Sequence, residues 1–141
     1  MIGKTYEELS VGQFDTFSKT ISETDITLFG AISGDFNPAH FDQEYAKKTR
    51  FKKRIAHGMV ATSLISGVLG MKFPGPGTIY IDQSLRFLAP VYIGDTITAK
   101  VEILEKLPKN RIKIRTSCVN QDGDIVIDGE AHILPPLAKF K

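Results

Sequence analysis

The stretch from Gly58 to Met71, Gly-Met-Val-Ala-Thr-Ser-Leu-Ile-Ser-Gly-Val-Leu-Gly-Met, carries no charge and almost no polar face. A helix of this composition has no side suited to water and has to be buried nearly all round. The rest of the chain must therefore supply something that surrounds it. Its glycines and small hydroxyl residues weaken it as a helix, a cost that makes sense where other backbone or a ligand comes close. Phe73-Pro-Gly-Pro-Gly77 breaks it abruptly. That run lacks the Lys-Ser/Thr ending of a phosphate-cradling loop, so it reads as a turn and no nucleotide fold is indicated.

Four strand-like segments follow, Thr78 to Leu88, Thr96 to Leu107, Arg111 to Asn120 and Asp124 to Leu134. They are separated by Gly94-Asp95, Pro108-Lys-Asn110 and Asp122-Gly123, and all three joins read as hairpin-like. In the second segment Ile97, Ala99, Val101 and Ile103 alternate with Thr98, Lys100 and Glu102; in the third, Ile112 and Ile114 alternate with Arg111, Lys113 and Arg115. Successive side chains on a strand point to opposite faces, so one face of the sheet is apolar and the other wet. Gln13 to Ile21, rich in Phe and Thr, reads as a further strand after the turn Leu9-Ser-Val-Gly12. The apolar face needs a cover, and only the Gly58 to Met71 helix is apolar and long enough. The expected class is α+β, an antiparallel sheet of about five strands wrapped around a long central helix, in one domain over residues 1–141 without repeat or linker. A chain of 141 residues buries such a core without disulfides or a metal.

Composition excludes little else. With a net charge of +2, the chain gives no indication of nucleic-acid binding, while small anionic ligands stay open. Cys118 is the only cysteine, which rules out an intrachain disulfide and a CxxC motif and suits a reducing cytoplasm. The polar start Met1-Ile-Gly-Lys-Thr-Tyr-Glu-Glu is unlike a secretory signal, and no apolar run approaches the ~20 residues of a membrane span. A cytoplasmic protein that meets no membrane is the expectation.

The chemistry-bearing stretch is Ser33-Gly-Asp-Phe-Asn-Pro-Ala-His40. Ser22 as N-cap, Asp25 three residues on, and Ile26, Phe29 and Ile32 at helical spacing predict a short helix closed by Gly34, which delivers Asp35. Pro38 then argues against regular helix and for a loop, on which Asp35 and His40 can turn toward one bound atom as an acid/base pair. The competing reading has Asp35 and Asn37 making Asx turns and His40 capping a neighbour. Asp42 to Thr49, acidic first and basic last, reads as a short exposed helix. The run Arg50-Phe-Lys-Lys-Arg54 is either a solvated loop or a phosphate contact. His57 reads as a structural hydrogen bonder, and His132 has no Cys, Asp or Glu at ligand spacing, so no metal site is expected.

A helix wrapped by about five strands is the hot-dog architecture, and here the chain resembles the MaoC-type (R)-specific enoyl-CoA hydratases. The resemblance rests on Phe29, Ser33 to His40 with Ala46 beyond, Ala56-His-Gly-Met59, Ser66, and Phe87-Leu-Ala-Pro-Val-Tyr-Ile-Gly-Asp95. Ala39 departs from the larger aliphatic residue usual at that place. The resemblance implies that Asp35 and His40 activate the water that adds to C3 of a trans-2-enoyl thioester. It also implies that the Gly58 N–H, at a helix start, receives the enolate oxygen, with Asn37 and Ser66 in supporting roles and no cofactor or metal. The implied product is the (3R)-hydroxyacyl thioester, and the implied assembly is a homodimer or higher homo-oligomer with sheets joined edge to edge and the pocket near the interface. Acyl-CoA and water are then the partners, and cations among Arg50, Lys52, Lys53, Arg54 and Arg86 are expected at the CoA phosphates. Two other readings stay open, a hot-dog thioesterase and a non-catalytic acyl-thioester binding module.

Overall fold

The computed structural model describes residues 1–140. β1 (Phe14–Thr20) leads into α1 (Glu23–Ser33), two single-turn helices α2 (Pro38–Phe41) and α3 (Gln43–Ala46), and the long α4 (Gly58–Met71). Four strands follow: β2 (Ile79–Phe87), β3 (Thr96–Leu107), β4 (Arg111–Val119) and β5 (Ile125–Leu134). The sheet is antiparallel throughout, in the order β1-β3-β4-β5-β2.

The sheet closes over α4 as its composition requires. On β3, Ile97, Ala99, Val101 and Ile103 are buried, and on β4 so are Ile112, Ile114, Thr116 and Cys118; both rows join Val60, Ala61, Leu64, Ile65 and Val68 of α4 in one core. This is the hot-dog fold. Burial also pushes the Cys118 thiol up to about 12.

Two of the joins are hairpins and one is not. Lys109 and Asn110 both take positive φ between β3 and β4, the backbone twist that a tight antiparallel turn favours. The Gly94-Asp95 join cannot be a hairpin, because β2 pairs with β5 while β3 lies between β1 and β4. The connection after β2 instead crosses to the other side of the fold. Along it, the Val91 C=O accepts from Ala56 N–H at 2.7 Å, and Tyr92 forms a bridge with Ile55.

Gly129 sits opposite Leu85 in the β2–β5 ladder, where a Cβ would lie 1.9 Å from the Ser84 carbonyl oxygen. Backbone cannot give way as a flexible side chain can, so Gly129→Ala should cost about 3 kcal/mol, near the top of the usual overpacking range. Urea unfolding checks this, and an unshifted midpoint would show that β2 is free to move off the ladder.

Candidate active site

Three local structures bring the site together. Ser22 accepts from the Asp25 N–H while the Asp25 carboxylate accepts from the Ser22 N–H, and Gly34, at φ 78°, closes α1 in the left-handed conformation. The chain is thereby turned sharply into Asp35. Beyond it Pro38 does not prolong a loop but begins α2, at the first helical position where its missing N–H costs nothing. Asn37 caps that turn, its side-chain oxygen accepting from the Ala39 N–H at 3.0 Å. Asp35 therefore stands on a turn and His40 on a helix.

The two readings of Asp35 turn out to be compatible. Its Oδ1 accepts from the Asn37 N–H at 3.1 Å, an Asx turn, while Oδ2 lies 4.0 Å from His40 Nε2. On the far side of the ring His40 Nδ1 is 2.7 Å from the Ile55 carbonyl, which can only accept, so Nδ1 carries the proton and Nε2 is the basic nitrogen facing the carboxylate. A separation of 4.0 Å is too long for a direct hydrogen bond and suits one water bonded to both atoms. The His40 side chain is 11% exposed and that of Asp35 48%.

His57, expected from the sequence to be a structural hydrogen bonder, lies at the centre of this arrangement. Its Nε2 is 2.9 Å from the Asp35 carbonyl oxygen and its ring stacks on His40 with centroids 3.9 Å apart. The next residue, Gly58, opens α4, and its N–H makes no hydrogen bond among the described residues. The Phe87 ring occupies the space where a Cβ on Gly58 would stand, 2.6 Å away. Beside Gly58 opens a cavity of about 370 Å³, lined by Ile55, Ala56, Met59, Phe87, Val91 and Arg50 among others.

Residues 11–125 match the MaoC-like domain family. The chain belongs to that family. It is 49% identical over 132 residues, 93% of this chain and 91% of its relative, to the (R)-specific enoyl-CoA hydratase of Rhodospirillum rubrum. It is 46% identical over 132 residues, 93% of this chain and 83% of the other, to the 3-hydroxybutyryl-CoA dehydratase of Methylorubrum extorquens. Among solved structures, the unliganded R-hydratase of Pseudomonas aeruginosa superposes with a TM-score of 0.91 at 51% identity, covering 95% of this chain and 86% of that one.

The remaining candidates of this MaoC-like chain are placed as follows. Ser66 lies eight residues beyond Gly58, about 12 Å along the helix axis. It is exposed and its hydroxyl makes no hydrogen bond among the described residues, so one chain alone does not bring it to Asp35 and His40. The back-bond to the Thr62 carbonyl that competes for its hydroxyl is absent too; Thr62 makes the equivalent bond itself, to the Gly58 carbonyl at 3.1 Å.

The basic run divides. Arg54 is engaged: Nε donates to the His40 carbonyl at 2.6 Å and both terminal nitrogens to the Glu23 carboxylate, at 3.0 and 2.7 Å. It fastens α1 to the turn that carries His40. Lys53 lies over the Tyr92 ring, and Lys52 and Arg86 are exposed away from the cavity lining. Arg50, against Phe51, is the cation on the cavity wall. His132 has a carboxylate partner that spacing along the chain hides, since register sets Asp82 opposite it and its Nδ1 lies 2.9 Å from Asp82 Oδ1.

Among the described residues one cluster offers metal-ligand atoms, Asp35, His40 and His57, all within 4.8 Å of one another. Tetrahedral zinc at ~2.0–2.1 Å from its ligands would draw them closer together. The two imidazoles lie with centroids 3.9 Å apart and planes tilted by 32°, and His40 Nδ1 and His57 Nε2 are already turned to backbone carbonyls.

Proposed function

We propose that this chain catalyses the reversible addition of water to a trans-2-enoyl-CoA, giving the (3R)-3-hydroxyacyl-CoA. The observation that carries the reading is the Asp35 Oδ2 to His40 Nε2 separation of 4.0 Å, beside a helix N-terminus with a free Gly58 N–H. Water held between the two side chains gives a proton to the pair as its oxygen bonds to C3. The C2–C3 π electrons move toward the thioester carbonyl, whose oxygen gains negative charge, and C2 then takes a proton from the pair. An imidazole accepts and returns a proton near neutrality. The Gly58 N–H meets the developing oxyanion, where the helix dipole also favours negative charge. The cavity beside Gly58, about 370 Å³ and mostly apolar in its lining, is of a size for a small acyl group. Arg50 on its wall suits the anionic CoA. The named activities of the bacterial relatives agree with this chemistry.

Loss of the enoyl-thioester absorbance with trans-2-butenoyl-CoA and longer homologues, read alongside free-thiol release and chiral analysis, tests the reading. Hydration without thiol release and a (3R) product are expected. Thiol release without hydration would make the chain a thioesterase, and no turnover of any enoyl thioester would leave a binding module.

The chain is further proposed to act as a homodimer joined at β2. That strand is a sheet edge carrying exposed Ile79, Tyr80, Ile81 and Phe87, a surface that invites pairing with a second copy. Phe87 also lines the cavity, so an interface on this edge would adjoin the site. Sedimentation should give the mass of a dimer, and activity per chain should fall on dilution to monomers. A fully active monomer would overturn this arrangement.

A further inference from the structure

His57 has no step in the chemistry above, yet it touches both residues that do, the backbone carbonyl of Asp35 and the ring of His40. We propose that His57 is a positioning residue for the Asp35 and His40 pair, an inference that rests on the hydratase reading of that pair. Its Nε2–H holds the Asp35 carbonyl, and with it the turn that aims Oδ2 at His40, while its ring face sets the plane of the His40 imidazole.

The other hydrogen bonds of Asp35 are local. Its N–H donates to Ser33 Oγ at 3.1 Å and its Oδ1 accepts from the Asn37 N–H at 3.1 Å, so both stay within residues 33–37. Among the described residues the bond to His57 is the one that ties Asp35 to the core. His57 is well suited to anchor it, being 3% exposed, packed against Phe29 with centroids 4.7 Å apart, and set at the start of the buried α4.

A second observation separates positioning from mere space filling. His57 Nδ1 is buried and has no hydrogen-bond partner among the described residues. A buried nitrogen without a partner is destabilising, and an apolar side chain would fill the place without one. An imidazole at this place is explained by its other nitrogen, Nε2, which must carry its proton because a carbonyl only accepts.

Two amide substitutions test the atom and not just the residue. His57→Gln offers a donor near the position of Nε2, whereas His57→Asn offers one near Nδ1. His57→Phe keeps an aromatic ring there, somewhat larger, removes both nitrogens, and carries the test if an amide variant does not fold. The expectation is that His57→Gln retains kcat to within about 5-fold. His57→Asn and His57→Phe should lose roughly 10²-fold in kcat with KM little changed, the scale of a misplaced reacting group. In crystal structures of the variants the Asp35 Oδ2 to His40 Nε2 separation should stay near 4.0 Å for Gln and widen by about 1 Å or more for Asn and Phe. If Asn and Phe leave both kcat and that separation unchanged, or if Gln is as impaired as Asn, the inference is overturned. If no variant and no wild-type protein hydrates an enoyl thioester, the hydratase reading falls, and the crystallographic separation alone decides whether His57 positions the pair.

Discussion

Asp35→Asn and His40→Gln should each leave a folded protein and remove most of the hydration of trans-2-butenoyl-CoA. General acid/base steps are commonly worth ~10²–10⁴ in rate, and kcat is expected to fall by that much in either variant while the thermal midpoint moves by only a few degrees. Asn keeps the acceptor for the Asn37 N–H, so the Asx turn survives. In place of the Oδ2 that faces His40 Nε2 across 4.0 Å it presents an amide NH₂, which cannot accept a proton from a water held between them. Gln at position 40 has no nitrogen that cycles between base and acid. The double variant should be little worse than either single one, because two groups that hold one water fail together. Fully additive losses would mean that the two act on different protons. Near-wild-type turnover by either single variant would remove the acid/base assignment altogether, whereas an (S) product from the wild type would overturn only the stereochemistry.

Much of this fold is legible in the residues where a local rule acts alone. The uncharged Gly58 to Met71 run is helical over those same residues, the strand-like segment from Thr96 to Leu107 matches β3 from end to end, and the alternation read in it from Ile97 to Ile103 is the alternation of burial. The capping box at Ser22 and Asp25 and the left-handed Gly34 lie where the spacing predicts. The departures arise where distant parts of the chain decide. Strand order is one: nothing in Gly94-Asp95 says that β2 will pair with β5, because that depends on edges formed elsewhere. Pro38 is another, since proline both ends and begins helices and only the Asn37 cap ahead of it favours a beginning. The Asp42 to Thr49 segment shrinks to the single turn Gln43–Ala46, where Asp42 caps two N–H groups and Thr49 takes up the Ala46 carbonyl. At the site, Asp35 and His40 are close in sequence and carry a recognisable spacing. His57 comes from a different element and meets them only through packing. Its position just before the glycine that opens the buried helix is the signal that could have found it.

Gly58→Pro should lower kcat by roughly 10²–10³, and Gly58→Ala by far less. The pair separates the Gly58 N–H from the space around it. Proline removes the N–H but keeps the backbone, because Gly58 is the first residue of α4, a position that proline occupies readily. His57 before it, at φ −57° and ψ 135°, already has the extended geometry that a following proline imposes. No intrachain hydrogen bond is lost either, since the Gly58 N–H makes none among the described residues. Both substitutions add a Cβ that meets the Phe87 ring at 2.6 Å, so both demand the same shift of that ring. Alanine therefore measures the effect of the Cβ, and proline adds to it both the missing donor and a ring Cδ where the N–H hydrogen stood. Removing one donor to an oxyanion typically costs 10²–10³ in kcat, and that factor is the expected difference between the two variants. Thermal melts should place them within a few degrees of each other, as neither disturbs the core face of α4. If the two variants turn over equally, the thioester oxyanion is stabilised by some other donor and the helix start serves only to admit the acyl group. A loss confined to proline and expressed in kcat with KM little changed would support the Gly58 N–H as the donor, whereas a rise in KM would point to the ring Cδ excluding the thioester oxygen.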